Sequence, residues 1–154
     1  KHITEGMFDW SSEEIEDFIC NNMDRMAEKF DLIEDAKEYI NKLYEENEIY
    51  LITHRSNHFF KNPELVTINL LNEKGIKYDK LLLNVENKAQ AAKDYNIEVF
   101  IDDSMKNCNQ LSESGIKTYV FDTRINENIE CDSKIKRVYS WLHLNQELES
   151  YMNK

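Results

Sequence analysis

The apolar positions change period along the chain. From residue 12 to 30, Ile15, Phe18, Ile19, Met23, Met26, Ala27 and Phe30 recur at spacings of three and four, which predicts an amphipathic helix packed along that face. Ser11 followed by Glu14 supplies a capping box at its start. A second helix turns Ile33, Ala36, Tyr39, Ile40, Leu43 and Tyr44 inward and is expected to end near Asn47 in the left-handed conformation. Short continuous apolar runs follow. Ile49–Thr53, Lys80–Asn84, Ile97–Ile101 and Thr118–Phe121 read as strands covered on both faces, and Lys136–Tyr139 as a final edge strand. Helices separate them: one with Pro63 in its first turn and Gly75 at its end, a short one bearing Ala89, Ala92 and Tyr95, and one bearing Met105, Cys108 and Leu111 that closes at Gly115. Residues 124–134 read as a polar loop, and a last helix carries Trp141, Leu144, Leu148 and Tyr151.

Strands alternating with helices predict an α/β fold with a mostly parallel, Rossmann-like three-layer sheet. In such sheets ligands bind beyond the carboxyl ends of the strands, so the residues there decide the chemistry. The bulk numbers narrow the partners. A formal charge of −11 over 154 residues disfavours nucleic-acid polymers and anionic membranes, while leaving room for a small anion held by local cations or a metal. No apolar run approaches the ~18 residues that span a bilayer. Cys20, Cys108 and Cys131 are dispersed without a Cys-x-x-Cys pair, and no signal peptide is visible, so reduced thiols and a cytoplasmic location are expected.

Three strand ends carry the candidate chemistry. The first strand runs into Thr53-His54-Arg55, the third into Asp102-Asp103-Ser104, and Lys88 opens the helix that leads to the third. A hydroxyl, an ammonium and a carboxylate pair suit a phosphate with Mg²⁺: the cation takes hard oxygen ligands, the lysine offsets phosphate charge and the hydroxyl donates to a phosphoryl oxygen. Each residue also has a plainer use. Thr53 can simply end a strand, Lys88 can be a solvated helix lysine, and Asp103 can cap the helix that starts near Ser104. Asp102 is harder to account for, because one cap does not need two adjacent carboxylates.

The ordered set resembles the haloacid dehalogenase superfamily of phosphohydrolases. "YLITHR" is similar to its second motif, a strand ending in Thr or Ser; Lys88 to its third; and "VFIDDS" to its acidic fourth. "KYDKLLLN", "IEVFIDDSMKNC", "GIKTYVFDT" and "RVYSW" resemble the 5′-nucleotidase-like branch, which includes 5′(3′)-deoxyribonucleotidases and carries a small helical cap. The likeness covers about residues 35–142. It implies residues 1–34 as the cap segment and 35–154 as one compact core. It also implies Thr53 and Lys88 as catalytic residues and Thr53, His54, Arg55 and Lys88 as contacts to a small phosphorylated substrate, a nucleotide among the candidates. Asp102 and Asp103 are implied as Mg²⁺ ligands, Asp103 foremost for direct contact.

One part of the pattern is absent. The superfamily's nucleophile is the first Asp of an Asp-x-Asp that ends the central strand, and this sequence contains no Asp-x-Asp. Two expectations compete. Either the nucleophile lies upstream of Lys1, on a unit of roughly 30 residues by analogy with a βαβ element, or the protein is a non-catalytic homologue that binds phosphate or a partner. Without that strand, the strands ending at Thr53 and Asp102 should either pair directly or stay apart. A central strand drawn from residues 1–10 and ending in a carboxylate would contradict both. A phosphoacceptor receiver domain is disfavoured, since its acidic pair precedes its Thr and Lys, and zinc binding by His54 and His58 lacks a third ligand nearby.

Overall fold

The computed structural model describes residues 9–153. Two compact units make up the chain: the residues up to Ile33 with Ile40–Val85, and Glu34–Tyr39 with the residues from Glu86 on. The first unit contains α1 (Ser12–Ala27), β1 (Tyr50–Ile52), α3 (Pro63–Lys74) and β2 (Lys80–Leu82), while α2 (Ala36–Tyr44) runs across the division. The second contains α4 (Lys88–Asp94), β3 (Val99–Asp102), α5 (Met105–Glu113), β4 (Lys117–Phe121), β5 (Lys136–Val138) and α6 (Trp141–Met152).

Local chemistry accounts for most boundaries in the first unit. The Ser11 hydroxyl accepts the Glu14 N–H, and the Glu14 carboxylate takes the Ser11 N–H at 2.7 Å, so the capping box forms as the sequence predicts. Asn62 caps α3 with Pro63 behind it, and Gly75 ends that helix at φ 68°, a left-handed angle that favours glycine. The Asn41 side chain then ties α2 to the following turn, donating to the Gly75 carbonyl at 2.9 Å and accepting the Lys77 N–H at 2.8 Å. β1 and β2 pair in parallel, Leu51 opposite Leu81, and the Asp79 carboxylate accepts the Ile49 N–H at the entrance to β1.

The second unit is a parallel three-stranded sheet in the order β3-β4-β5, with Phe100 opposite Thr118 and Val120 opposite Arg137. Met105, Cys108, Val120 and Ile135 pack into one apolar cluster that seats α5 on the sheet. Gly115, at φ 83°, makes the turn from α5 into β4. The predicted edge strand is β5, which pairs only with β4 among the described residues.

Three expectations meet the structure here. Among the described residues β1 pairs only with β2 and β3 only with β4, so the two strands ending at Thr53 and Asp102 do not pair with each other. A strand from residues 1–10 falls almost wholly outside the described residues. Asn47 does not take the left-handed conformation; the positive-φ non-glycine residues described are Asp35, Asn84 and Asn96, and Asn47 instead donates through its side chain to the Leu43 carbonyl. The apolar face of α1 is only partly covered. Ala27 and Met23 pack with Phe60 and Val66, whereas Phe18 and Met26 stay exposed at 41% and 38%, because α3 is the only helix that packs closely on α1 among the described residues; the helix ends at Ala27, so Phe30, expected on the same face, lies beyond it.

Candidate functional site

The acidic pair divides its labour. Asp102 is the last residue of β3 and is buried, and both its carboxylate oxygens are engaged. Oδ1 accepts the Ser104 N–H at 2.8 Å and the Asn107 amide at 3.2 Å. Oδ2 accepts the Lys88 ammonium at 2.6 Å and the same Asn107 amide at 3.3 Å. Lys88 is the first residue of α4, behind an Asn87 cap, and its side chain is only 18% exposed, against 3% for Asp102. A solvated helix lysine does not describe this geometry. The pair is a buried ion pair, which holds only when hydrogen bonds satisfy the remaining lone pairs, and Ser104 and Asn107 do that.

Asp103 is different. Its side chain is exposed and makes no hydrogen bond or ion pair to any described residue. Nor does it cap α5, because Ser104 fills that position and accepts the Asn107 N–H. Beneath the pair, the Cys108 thiol points at the Asp102 carbonyl at 3.5 Å. Burial, then the negative charge of Asp102, pushes that thiol up to about 12, so it stays neutral and belongs to the packing.

In the first unit, Thr53 follows β1 and its backbone continues the ladder, its N–H donating to Leu82 O at 2.9 Å and its carbonyl accepting the Val85 N–H at 3.0 Å. Those bonds hold the residue still, while its hydroxyl takes no described partner. His54 is exposed. Arg55 is committed to the protein: it donates to Thr67 Oγ1 at 3.0 Å and lies 5.5 Å from the centre of the Phe60 ring, and burial lowers its pKa. His58 pairs with Glu16 at 3.1 Å. Thus Lys88, Asp102 and Asp103 come together in the second unit, and the Thr53–Arg55 loop belongs to the first.

The donor set fits a hard cation. Among the described residues no three His, Cys, Asp or Glu side chains converge on one point. An octahedral Mg²⁺ commonly keeps several waters and takes one or two carboxylates plus substrate phosphate, so a single free carboxylate such as Asp103 is a fitting contribution. Asp102, with both oxygens already accepting, is suited to anchoring.

Residue patterning missed two parts of this site. Asn107 lies one turn into α5 and looks like any helix polar residue. Asn126, fully buried, donates to the Asp103 carbonyl at 2.7 Å from a segment that reads as a polar loop.

The fold is haloacid dehalogenase-like, as its likeness to solved structures shows. The structure is similar to the crystal structure of the L-2-haloacid dehalogenase PA0810, with a TM-score of 0.57 and 10% identity over 77% of this chain and 56% of that one. It is also similar to a phosphonoacetaldehyde hydrolase-like protein from Oleispira antarctica, with a TM-score of 0.51 and 14% identity over 92% of this chain and 55% of that one. The chain belongs to the nucleotidase family described as 5′ nucleotidase, deoxy (pyrimidine), cytosolic type C protein (NT5C), whose profile matches residues 5–150. A nucleotidase of Clostridium acetobutylicum is 32% identical over 111 residues, 71% of this chain and 55% of that protein. YqfW of Bacillus subtilis strain 168, provisionally named a nucleotidase, is 29% identical over 134 residues, 86% of this chain and 67% of that protein. The chain therefore spans between about half and two thirds of the length of these relatives.

Proposed function

We propose that this chain supplies the phosphate- and metal-binding part of a Mg²⁺-dependent phosphomonoesterase acting on a nucleoside monophosphate in the cytoplasm. The observation that carries the reading is the contrast within one dipeptide, Asp102 buried on Lys88 and Asp103 free. Membership of the nucleotidase family supports the substrate class.

The superfamily resemblance supplies the roles, and the Lys88–Asp102 pair beside a free Asp103 supports those of the second unit. Asp103 holds the cation, which when bound neutralises phosphate charge. Lys88, kept in place by Asp102, presents its remaining ammonium protons to the phosphoryl oxygens and to the attacking carboxylate. For Thr53 the superfamily resemblance implies a hydrogen bond to a phosphoryl group, and for His54 and Arg55 contacts to substrate; within its own unit Arg55 braces the loop through Thr67. The nucleophile is a carboxylate from outside these 154 residues: its oxygen bonds to phosphorus as the ester P–O bond breaks, the leaving oxygen takes a proton, and water later releases phosphate.

The test uses full-length protein, a panel of ribo- and deoxyribonucleoside monophosphates, and phosphate release with and without chelator. Metal-dependent release from at least one nucleotide, abolished in Asp103→Asn, is the expected result. Release that persists in chelator, or no release from any phosphomonoester, refutes the reading and favours a phosphate- or partner-binding homologue without turnover.

A further inference from the structure

We infer that Asn126, held by Arg137, is a positioning residue that aims the Asp103 carboxylate and thereby sets cation affinity. The inference rests on the reading of Asp103 as the metal ligand.

Because the Asp103 side chain has no described partner, only its backbone can orient it. The peptide joining Asp103 to Ser104 is gripped at both ends: Asp102 Oδ1 accepts the Ser104 N–H at 2.8 Å, and Asn126 Nδ2 donates to the Asp103 carbonyl at 2.7 Å. Holding that peptide plane restricts ψ of Asp103 and φ of Ser104, the torsions on either side of it, and with them the directions open to the Asp103 Cα–Cβ bond. The first grip belongs to the buried ion pair. The second comes from a residue 23 positions away in sequence.

Asn126 is built for a single orientation. It is 1% exposed, and its amide uses all four hydrogen-bonding positions. Nδ2 also donates to the Phe121 carbonyl at 2.9 Å, while Oδ1 accepts the Thr123 N–H at 3.1 Å and an Arg137 N–H at 2.8 Å. A flipped amide would set its oxygen against two carbonyls and its NH₂ against two donors. The Arg137 guanidinium prevents this. It bonds Asp122 at 2.6 Å and reaches the carbonyls of Asn126 and Ile129 with its other nitrogen, so it locks the loop after β4 as well as the amide.

The experiment measures Mn²⁺ binding to full-length protein by electron paramagnetic resonance, with circular dichroism to confirm folding. Asn126→Ala should weaken Mn²⁺ binding by roughly tenfold or more, the scale seen when supporting groups of metal ligands are removed. Arg137→Lys keeps the pairing with Asp122 but not the fork on Asn126, and should weaken binding by about threefold; it carries the test if the alanine variant does not fold. In both, KM for the nucleotide at saturating metal should stay within about twofold of wild type, a split that general loosening of the fold would not produce. Folded variants that bind Mn²⁺ as wild type does overturn the inference, provided Asp103→Asn has lost binding. If Asp103→Asn itself binds normally, the assignment of the metal ligand fails, and this inference fails with it.

Discussion

Lys88→Met removes one partner of the buried pair and leaves the Asp102 carboxylate where water cannot reach it. Its side chain is 3% exposed, so its remaining support is the Ser104 N–H and the Asn107 amide. Breaking a buried pair from one side costs about 3–5 kcal/mol, and the surviving donors place this case at the lower end, about 3 kcal/mol. The reverse change, Asp102→Asn, should cost less, about 1–2 kcal/mol, because a lysine at 18% exposure can swing its ammonium to solvent. The double variant should therefore cost less than the sum of the two by at least ~1 kcal/mol. Urea unfolding of the full-length proteins, followed by circular dichroism with matched slopes, measures all three. For a chain of this size the single lysine change corresponds to a melting shift of about 6–12 °C. A Lys88→Met protein within ~0.5 kcal/mol of wild type, or strict additivity in the double variant, refutes the claim that the pair is buried and coupled.

Asp103→Asn, one residue along, should leave stability within about 0.5 kcal/mol of wild type while Mn²⁺ binding is lost, since its side chain holds nothing in the fold; calorimetry paired with metal titration checks both halves. Cys108 should resist iodoacetamide at pH 8.5 in the folded protein and react on unfolding, read by peptide mass mapping. Its folded value, raised from 9.0 to about 12, favours the folded state fully below the unfolded value, and that contribution is lost as pH climbs from 9 toward 12, so alkaline unfolding should set in across that window. Gly75→Ala forces a Cβ into φ 68° and should destabilise the protein by about 1 kcal/mol, measurable in the same urea assay.

Much of the local architecture was legible because its causes are local. Ser11 and Glu14 cap each other three residues apart, Pro63 and Gly75 bracket one helix, and β1, β3 and β4 announce themselves as short apolar runs. The first helix shows where such reading ends. Its three-and-four spacing correctly predicts a helix, yet it cannot say how much of the stripe a neighbour covers or where the helix stops: Phe18 and Met26 remain exposed, and Phe30 falls past its end at Ala27. At Asn47 a residue type that tolerates the left-handed conformation instead uses its amide on a carbonyl one turn back.

The sequence by itself determined the alternation of strands and helices, the family's motif residues and their order, because periodicity and residue chemistry are written along the chain. Tertiary structure decided which aspartate is anchored and which is free. Two neighbouring carboxylates are identical in composition and differ only in what surrounds them: Lys88, from 14 residues back, reaches one, while Asn126, from across the sheet connection, grips the backbone of the other. Burial is a property of the packed molecule, and it separates the role of Asp102 from that of Asp103.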